Sequence, residues 1–559
     1  MHRSTLKPIG FASRELGTKP VIGILTTWSD INPCNLNLRY LANEVRKGVL
    51  EAGGTAFELP LLSLSENLIK PTSFLYRNLL AMDAEECIRA YPLDAVVLLG
   101  GCDKTVPALM MGACSANVPF IVVTSGPSMP RSSSQGDVGT GTAVWRLVDS
   151  LRSGNVSLSD FAAADEEIMT SPGHCSEMGT ASSVATVCEA MGVALSGSAM
   201  VSAADGRRAL FARQSGRRAV ELAAAGTLTP PVLLDQRAFD NAVVALCAVG
   251  GSTNVLIHLL AIAGRVGVPL NLDRIDILAR RTPVVADVQP SGRLLTNRLF
   301  QAGGIPAVLR QVRSLLHLDA LTVEGCTLGA VLERAVIGDT SVVHSMQEPV
   351  RAAPAIVILR GNIAPYGAVL KTCAGDPSLF RHIGPAIVFE SVQELASTID
   401  DPALGITPDS VLVLRGVGPV GAAMPEWGML PIPKYLLQRG VKDMVRISDA
   451  RMSGTGYGTA ILHVSPEAAV GGPLALVKSG DSIRLDVERG QLELMVADDE
   501  LSRRREAWKA PARSRSRGYQ SLYAQHVLQA NEGCDFDFLR GYETDVLPDG
   551  LFEGWVGGW

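Results

Sequence analysis

The stretch Ala95-Val96-Val97-Leu98-Leu99-Gly100-Gly101-Cys102-Asp103-Lys104-Thr105 decides how the rest of the chain is read. Five apolar residues closed by two glycines have the pattern of a strand buried on both faces, and the residues from Thr105 through Met110 have the texture of a helix. The pattern recurs on either side. Val21-Ile22-Gly23-Ile24-Leu25 is a short buried strand, followed by a polar loop and then Leu38, Leu41, Val45 and Val49 at helical spacing up to Gly53-Gly54. Phe120-Ile121-Val122-Val123 is a further strand. Strands alternating with helices predict an α/β fold with a mostly parallel sheet flanked by helices. Ligands in such sheets bind in the loops beyond the carboxyl ends of the strands, which directs attention to residues 100–105.

After about residue 350 the texture changes. Residues 355–359, 386–389, 410–414 and 483–487 read as strands separated by Gly, Pro and Asp turns, with fewer long helical stretches between them. The expected organisation is a large N-terminal α/β domain over 1–352 and a smaller β-rich C-terminal domain over 353–559. Residues 501–517, rich in Arg and Ser, read as a solvated helix or a linker, and 519–528 as helical again.

The chain has 559 residues, enough for two to four domains. Lys plus Arg number 50 against 56 Asp plus Glu, a balance that gives no basic stripe and excludes nucleic acid as the expected partner. The longest uncharged run, 241–264, is broken by Gly250-Gly251-Ser252-Thr253-Asn254 and carries His258. It predicts two buried segments around a functional loop rather than a membrane span. No apolar stretch of signal-peptide length opens the sequence, and a cytoplasmic protein is expected. Ten cysteines are too dilute for a disulfide scaffold and point to a reducing compartment.

Two familiar motifs nearly match. Gly416-Val417-Gly418-Pro419-Val420-Gly421 has the spacing of a dinucleotide loop, but Pro419 and Pro425 obstruct the helix that should follow. Residues 100–105 end like a phosphate loop, yet Asp103 stands where the glycine before Lys belongs and would repel phosphate. The same triplet, Cys102-Asp103-Lys104, reads better as a metal site that presents a soft thiolate beside a hard carboxylate. On this triplet alone a buried Cys beside a surface ion pair stays open as the alternative. Cys34 and Cys175 occupy turn contexts suited to presenting a ligand. Cys87, Cys114, Cys188, Cys247 and Cys326 read as packing residues, and Cys373 and Cys534 are left unassigned.

Taken together, the loops around Cys34, Cys102-Asp103-Lys104 and Cys175-Ser176-Glu177-Met178-Gly179-Thr180 resemble the dihydroxy-acid and sugar-acid dehydratase family. So do residues 250–254, Arg360-Gly361-Asn362, Pro425-Glu426-Trp427-Gly428, Asp449-Ala450-Arg451-Met452-Ser453-Gly454-Thr455 and the closing Cys534-Asp535-Phe536-Asp537-Phe538. The resemblance covers nearly the whole chain. It implies a barrel-like, swivelling C-terminal domain that carries Glu426 and Ser453. It also implies an iron–sulfur cluster on Cys34, Cys102 and Cys175, with [2Fe–2S] favoured over [4Fe–4S]. Three protein ligands leave one iron position open, as a Lewis acid requires. A magnesium ion would be held by Glu66, Asp103, Glu426 and a carbamylated Lys104. Taken without the resemblance, Glu66 is a plain surface acid and residues 452–456 an ordinary Ser/Gly turn.

The resemblance further implies a hydro-lyase that removes water from a 2,3-dihydroxy carboxylic acid, with Ser453 as general base and Thr455 and Thr105 as substrate contacts. The look of residues 75–83 and 98–105 favours a sugar acid such as arabinonate or xylonate, converted to its 2-keto-3-deoxy acid. The alternatives are the dihydroxy-acid dehydratase of branched-chain biosynthesis and, more remotely, a noncatalytic iron–sulfur sensor. Residues 126–135 depart from the family pattern, as does Ala143, which stands where the sugar-acid branch carries an acid. A homodimer or homotetramer is expected.

Overall fold

The computed structural model describes residues 7–10, 19–133, 136–511 and 517–541. Its first sheet joins β1 (Val21–Thr26), β2 (Thr55–Pro60), β3 (Ala95–Gly100) and β4 (Phe120–Thr124) in the order β2-β1-β3-β4, every neighbouring pair parallel. Three helices make the connections: α1 (Leu38–Glu51), α2 (Arg77–Ala90) and α3 (Thr105–Ser115). Strands β1, β3 and β4 are buried along their whole length, which is why they read as unbroken apolar runs. Helix α3 is buried on every side and accordingly shows no polar stripe.

Beyond β4 a short hairpin, β5 (Arg131–Ser133) and β6 (Gly136–Val138), leads into a largely helical region. Its main elements are α4 (Thr142–Ser153), α5 (Thr180–Ala190), α6 (Gly206–Ala225), α7 (Gln236–Ala248) and α8 (Asn254–Arg265). Helices α7 and α8 are the two segments expected from the uncharged run, with Gly250-Gly251-Ser252 between them. No described helix is long and apolar enough to cross a membrane. The N-terminal half is more helical than the sequence suggested, because its sheet stops at four strands.

The second sheet has eight strands: β7 (Val357–Leu359), β8 (Gly367–Leu370), β9 (Arg381–Phe389), β10 (Val411–Leu414), β11 (Arg446–Ser448), β12 (Ala460–Ser465), β13 (Ser482–Asp486) and β14 (Gln491–Leu494). Their order is β14-β13-β9-β10-β11-β12-β8-β7, parallel from β9 to β12 and antiparallel outside. The two edges nearly meet. Arg360 N–H donates to Gly490 O at 2.8 Å and Leu492 N–H donates to Arg360 O at 2.8 Å. The Asn362 side chain adds two bonds to the Leu494 backbone, at 2.9 and 2.7 Å. The motif Arg360-Gly361-Asn362 thus seams a sheet that curls round its own core of Leu370, Val411, Ile447, Ile461 and Leu492.

The loop after β10 shows why the dinucleotide motif fails. Gly416 N–H and Val417 N–H donate to the buried Asp449 carboxylate at 3.1 and 3.0 Å. Val420 N–H and Gly421 N–H donate to the buried Glu467 carboxylate at 2.7 and 2.9 Å. The amides that would cradle a phosphate are occupied by the chain's own acids, and the helix that follows, Pro419–Ala422, is a single turn.

Within the Arg/Ser-rich stretch, Asp498–Ala507 is a helix with no buried residue, and residues 512–516 lie outside the described ones. Tyr519–His526 is helical as expected. The segment it opens reaches back to the N-terminal helices. Cys534 and Phe536 pack with Phe74, Leu75 and Ile257, and Arg265 of α8 pairs with Asp535 at 2.6 Å.

Candidate active site

Three loops bring Cys34, Cys102 and Cys175 together. Cys34 sits in the helical turn Pro33–Asn35 after β1, Cys102 follows β3, and Cys175 precedes α5. The Asn35 side chain ties the first two, accepting from Cys102 N–H at 3.0 Å while donating to Thr27 O at 2.8 Å. Gly101 must be glycine, since a Cβ there would collide with Ser125 Oγ and the Cys34 carbonyl oxygen. The third loop joins through Gly173 N–H, which donates to Pro33 O at 3.1 Å. The Cys34 thiol is raised well above the usual range by its hydrogen bond to Cys102, then by burial and the negative charge of Cys102, Cys175 and Asp103. Cys175 is raised by burial and by Glu177 and Asp103.

The remaining cysteines divide as their texture suggested, with two differences. Cys114, Cys188 and Cys247 are buried in α3, α5 and α7, and Cys373 and Cys534 are buried as well. Cys87 and Cys326 are only half-buried. The first faces Asp83 on the flank of α2, and the second lies in a turn closed by Thr322.

Beside the thiols, Lys104 is wholly buried with its ammonium among three carboxylates. Nζ lies 2.9 Å from Glu66 Oε2, 3.5 Å from Asp103 Oδ2 and 3.5 Å from Glu426 Oε1. Burial opposes the lysine's charge, but the three acids outweigh it and hold its pKa above the ordinary value. Glu66 also loses hydration, yet Lys104 and Arg451 hold its carboxyl below the usual range, and Ser73 Oγ donates to it. Burial pushes Glu426 up. Far from being a surface acid, Glu66 also places its backbone N–H 3.4 Å from Cys102 Sγ, so the carboxylate and thiol groups adjoin.

Two further side chains, Arg451 and Asn254, belong to this cluster although no local pattern in the sequence assigns them a contact there. Arg451, wholly buried, reaches Glu426 Oε1 at 3.0 Å and Glu66 Oε1 at 3.6 Å, with its guanidinium 4.5 Å from the Phe74 ring centre. Asn254, at the start of α8, donates to Glu426 Oε1 at 2.9 Å, Met452 O at 3.1 Å and Thr180 Oγ1 at 3.1 Å.

Ser453 lies two residues beyond Arg451, on a loop seated against the first turn of α5. A Cβ on Gly454 would come within 2.5 Å of Thr180 N and 2.8 Å of Ser252 Oγ, which is why the loop needs glycine there. Ser453 Oγ is 2.9 Å from Thr455 Oγ1. Helix α4 closes over the pair: Trp145 Nε1–H donates to Thr455 Oγ1 at 3.2 Å and Thr142 Oγ1 donates to Thr455 O at 2.8 Å. The start of α4 is itself held by Glu177, which accepts from Gly141 N–H and Thr142 N–H at 2.7 and 2.9 Å. Ala143 is half-buried in this first turn. In the departing stretch 126–135, Ser134 and Gln135 lie outside the described residues. Thr105, buried as Thr455 is, differs in the partners of its hydroxyl. It is fully buried, and its hydroxyl accepts from Gly101 N–H at 3.1 Å and donates to Cys102 O at 2.9 Å, so it holds the Cys102 loop.

No three His, Cys, Asp or Glu side chains among the described residues are gathered closely enough to hold a single metal ion as they stand. In the carboxylate set the Lys104 ammonium stands between the acids. The donor chemistry nonetheless suits both groups that the family resemblance implies. Burial and neighbouring negative charge oppose ionisation of the Cys34 and Cys175 thiols until positive charge offsets them, and three carboxylates are already drawn round a cation.

Comparison with known proteins accords with this arrangement. Residues 19–331 match the model of the dihydroxy-acid/6-phosphogluconate dehydratase N-terminal domain, and residues 341–534 match that of the C-terminal domain. An L-arabonate dehydratase of Azospirillum brasilense is 48% identical over 98% of this chain and 96% of its own length. A 6-deoxy-6-sulfo-D-gluconate dehydratase of Pseudomonas putida is 45% identical over 98% and 95%. A dihydroxy-acid dehydratase of Pyrobaculum neutrophilum is 37% identical over 95% and 96%. The chain belongs to the dihydroxy-acid/6-phosphogluconate dehydratase family.

Proposed function

We propose that this protein dehydrates a sugar acid, an aldonate of the arabinonate or xylonate kind, to the 2-keto-3-deoxy acid. The convergence of Glu66, Asp103 and Glu426 on Lys104, one loop away from Ser453, carries the reading. In it Cys34, Cys102 and Cys175 hold an iron–sulfur cluster, [2Fe–2S] in preference to [4Fe–4S], and Glu66, Asp103, Glu426 and carbamylated Lys104 hold Mg2+. Carbamylation turns the central ammonium into an oxygen ligand and removes the positive charge that stands between the acids. When bound, these groups supply Lewis acidity to the substrate's carboxylate, C2 hydroxyl and departing C3 oxygen.

The chain's own residues supply the proton chemistry. Ser453 Oγ takes the C2 proton, the C–H electron pair becomes the C2–C3 double bond, and the C3–O pair leaves with hydroxide. The resulting enol tautomerises to the keto acid, for a net loss of one water. An ordinary hydroxyl is far too weak an acid to be ionised at neutral pH, so the neighbouring cation charge has to favour its alkoxide. Thr455 adjoins Ser453 and contacts the substrate's oxygens. Arg451 and Asn254 keep Glu426 turned toward Lys104. The swivel of the barrel would then bring Ser453 and Glu426 onto the substrate, since both lie on barrel loops.

A sugar acid is favoured over the branched-chain precursor by relatives at 48%, 46% and 45% identity named for arabonate, arabinonate and 6-deoxy-6-sulfo-D-gluconate, against 37% for a dihydroxy-acid dehydratase, although a D-xylonate dehydratase is 34% identical. All ten cysteines are free thiols, which suits a reducing cytoplasm, and the working unit is taken to be a homodimer or homotetramer. The test is keto-acid formation by anaerobically purified protein with Mg2+ on a panel of aldonates and 2,3-dihydroxyisovalerate. Turnover of an aldonate is expected. Turnover of 2,3-dihydroxyisovalerate alone would move the protein to the other branch, and a brown protein inert on the whole panel would favour a noncatalytic iron–sulfur protein.

A further inference from the structure

The hydroxyl pair Ser453–Thr455 has a third member. Trp145 Nε1–H donates to Thr455 Oγ1 at 3.2 Å, and Thr455 Oγ1 lies 2.9 Å from Ser453 Oγ. An indole N–H can only donate, so Thr455 Oγ1 is the acceptor in the first contact. Thr455 is only 3% exposed, and among the described residues Ser453 Oγ is the one acceptor in reach of its hydroxyl proton. The Thr455 backbone N–H is turned to the same Ser453 oxygen at 3.4 Å.

We propose that Trp145 is a positioning residue that sets the direction of the Thr455–Ser453 hydrogen bond, so that Ser453 Oγ is held as an acceptor. That is the state in which the oxygen can receive a proton from a substrate carbon. This inference rests on the assignment of Ser453 as base and adds the device that orients it. The tryptophan is well placed to be rigid. It lies one turn into α4, whose start is tied to Glu177 and to the Thr455 carbonyl oxygen, and Asp149, one turn further, accepts from Tyr457 Oη–H at 2.8 Å. A donor fixed on the N-terminal half therefore polarises a hydroxyl on the barrel.

The test uses the loaded enzyme and an aldonate that the wild type dehydrates, protonated or deuterated at C2. Trp145→Phe keeps an aromatic ring, though a smaller one, and removes the N–H. It is expected to lower kcat about tenfold, the equivalent of one hydrogen bond, with KM changed less than about twofold. The C2-deuterium isotope effect on kcat should increase, because proton removal becomes the slower step. That effect is a ratio, so incomplete cluster loading of a variant does not enter it. In a Thr455→Val background Trp145→Phe should change kcat less than about twofold, since Trp145 acts only through Thr455. An unchanged isotope effect, or the same tenfold loss in both backgrounds, would overturn the inference and leave Trp145 a packing residue. Failure here is separable from failure of the base: turnover by Ser453→Ala would remove the base itself, whereas an inactive Ser453→Ala beside a normal Trp145→Phe removes only the relay.

Discussion

Arg451 Nη1 lies 3.0 Å from Glu426 Oε1 inside the protein, and the same guanidinium reaches Glu66 on the N-terminal half at 3.6 Å. One buried cation, two residues before Ser453, thus joins a carboxylate from the eight-stranded sheet's loops to one from the N-terminal half. Its five fixed donors suit this bridging, and Met424 O and Thr72 Oγ1 take two more of them.

Removing that charge should be costly. In the metal-free, uncarbamylated protein Arg451→Met leaves Glu66, Asp103 and Glu426 with Lys104 as their remaining cation, and a loss of about 3–5 kcal/mol is expected in urea denaturation, as for other broken buried pairs. Arg451→Lys keeps the charge without the fork and should lose less. Equal stability of Arg451→Met and wild type would show that the pair contributes nothing to the fold.

The three clustered thiols should separate from the other seven by iron content. Cys34→Ser, Cys102→Ser and Cys175→Ser are each expected to lose most of the bound iron and the visible absorption. Cys188→Ala, in the middle of α5, should keep both and show only a packing loss of about 1–2 kcal/mol. Iron measured per chain decides the matter, and full iron in Cys175→Ser would remove that residue from the set.

Gly101→Ala tests the joint between two of those loops. The added methyl meets Ser125 Oγ and the Cys34 carbonyl oxygen, so a stability loss of about 1–3 kcal/mol is expected, with reduced iron loading. Thermal unfolding together with iron analysis reads both effects.

The acids under the Gly416–Gly421 loop should make stability depend on pH. Burial raises Asp449 to about 6 and Glu467 to about 7, against about 4 in an unfolded chain. Between those values the folded state binds more protons than the unfolded state, so this contribution to stability falls as pH rises from about 4 to 7 and is level above that. Buried His174 and His463, lowered to about 4 and about 3, act in the opposite direction over much of that range. The informative quantity is therefore the difference between wild type and Glu467→Gln. The stability of wild type relative to the variant should decline by a kcal/mol or more between pH 5 and pH 8. A difference independent of pH would contradict the shift assigned to Glu467.

Much of this was legible in the sequence, for physical reasons that differ by element. Strands β1, β3 and β4 announce themselves because parallel strands covered on both faces carry no polar alternation. The loops of Cys34 and Cys102 were found because ligand loops follow such strands. Glu66 was legible only through family resemblance, since what makes it an interior acid is contact with Lys104 and Arg451, which are distant along the chain. Arg451 and Asn254 stood in quoted motifs, yet their shared hold on Glu426 depends on two loops and a helix start meeting, which no local pattern encodes. The dinucleotide-like loop misleads for the converse reason. Its local geometry is that of an anion cradle, and only the fold brings Asp449 and Glu467 to fill it. Thr105 looked like a substrate contact beside Cys102, but its place at the start of α3 turns the hydroxyl back onto the loop.

The proposed role of Ser453 is removal of the C2 proton of a sugar acid. Its most direct test is turnover by Ser453→Ala, loaded anaerobically and matched to wild type in visible absorption, on an aldonate that the wild type dehydrates. Intact absorption is expected, with keto-acid formation reduced by at least about a hundredfold, the lower range for loss of a general base. Keto-acid formation near the wild-type rate would contradict that role.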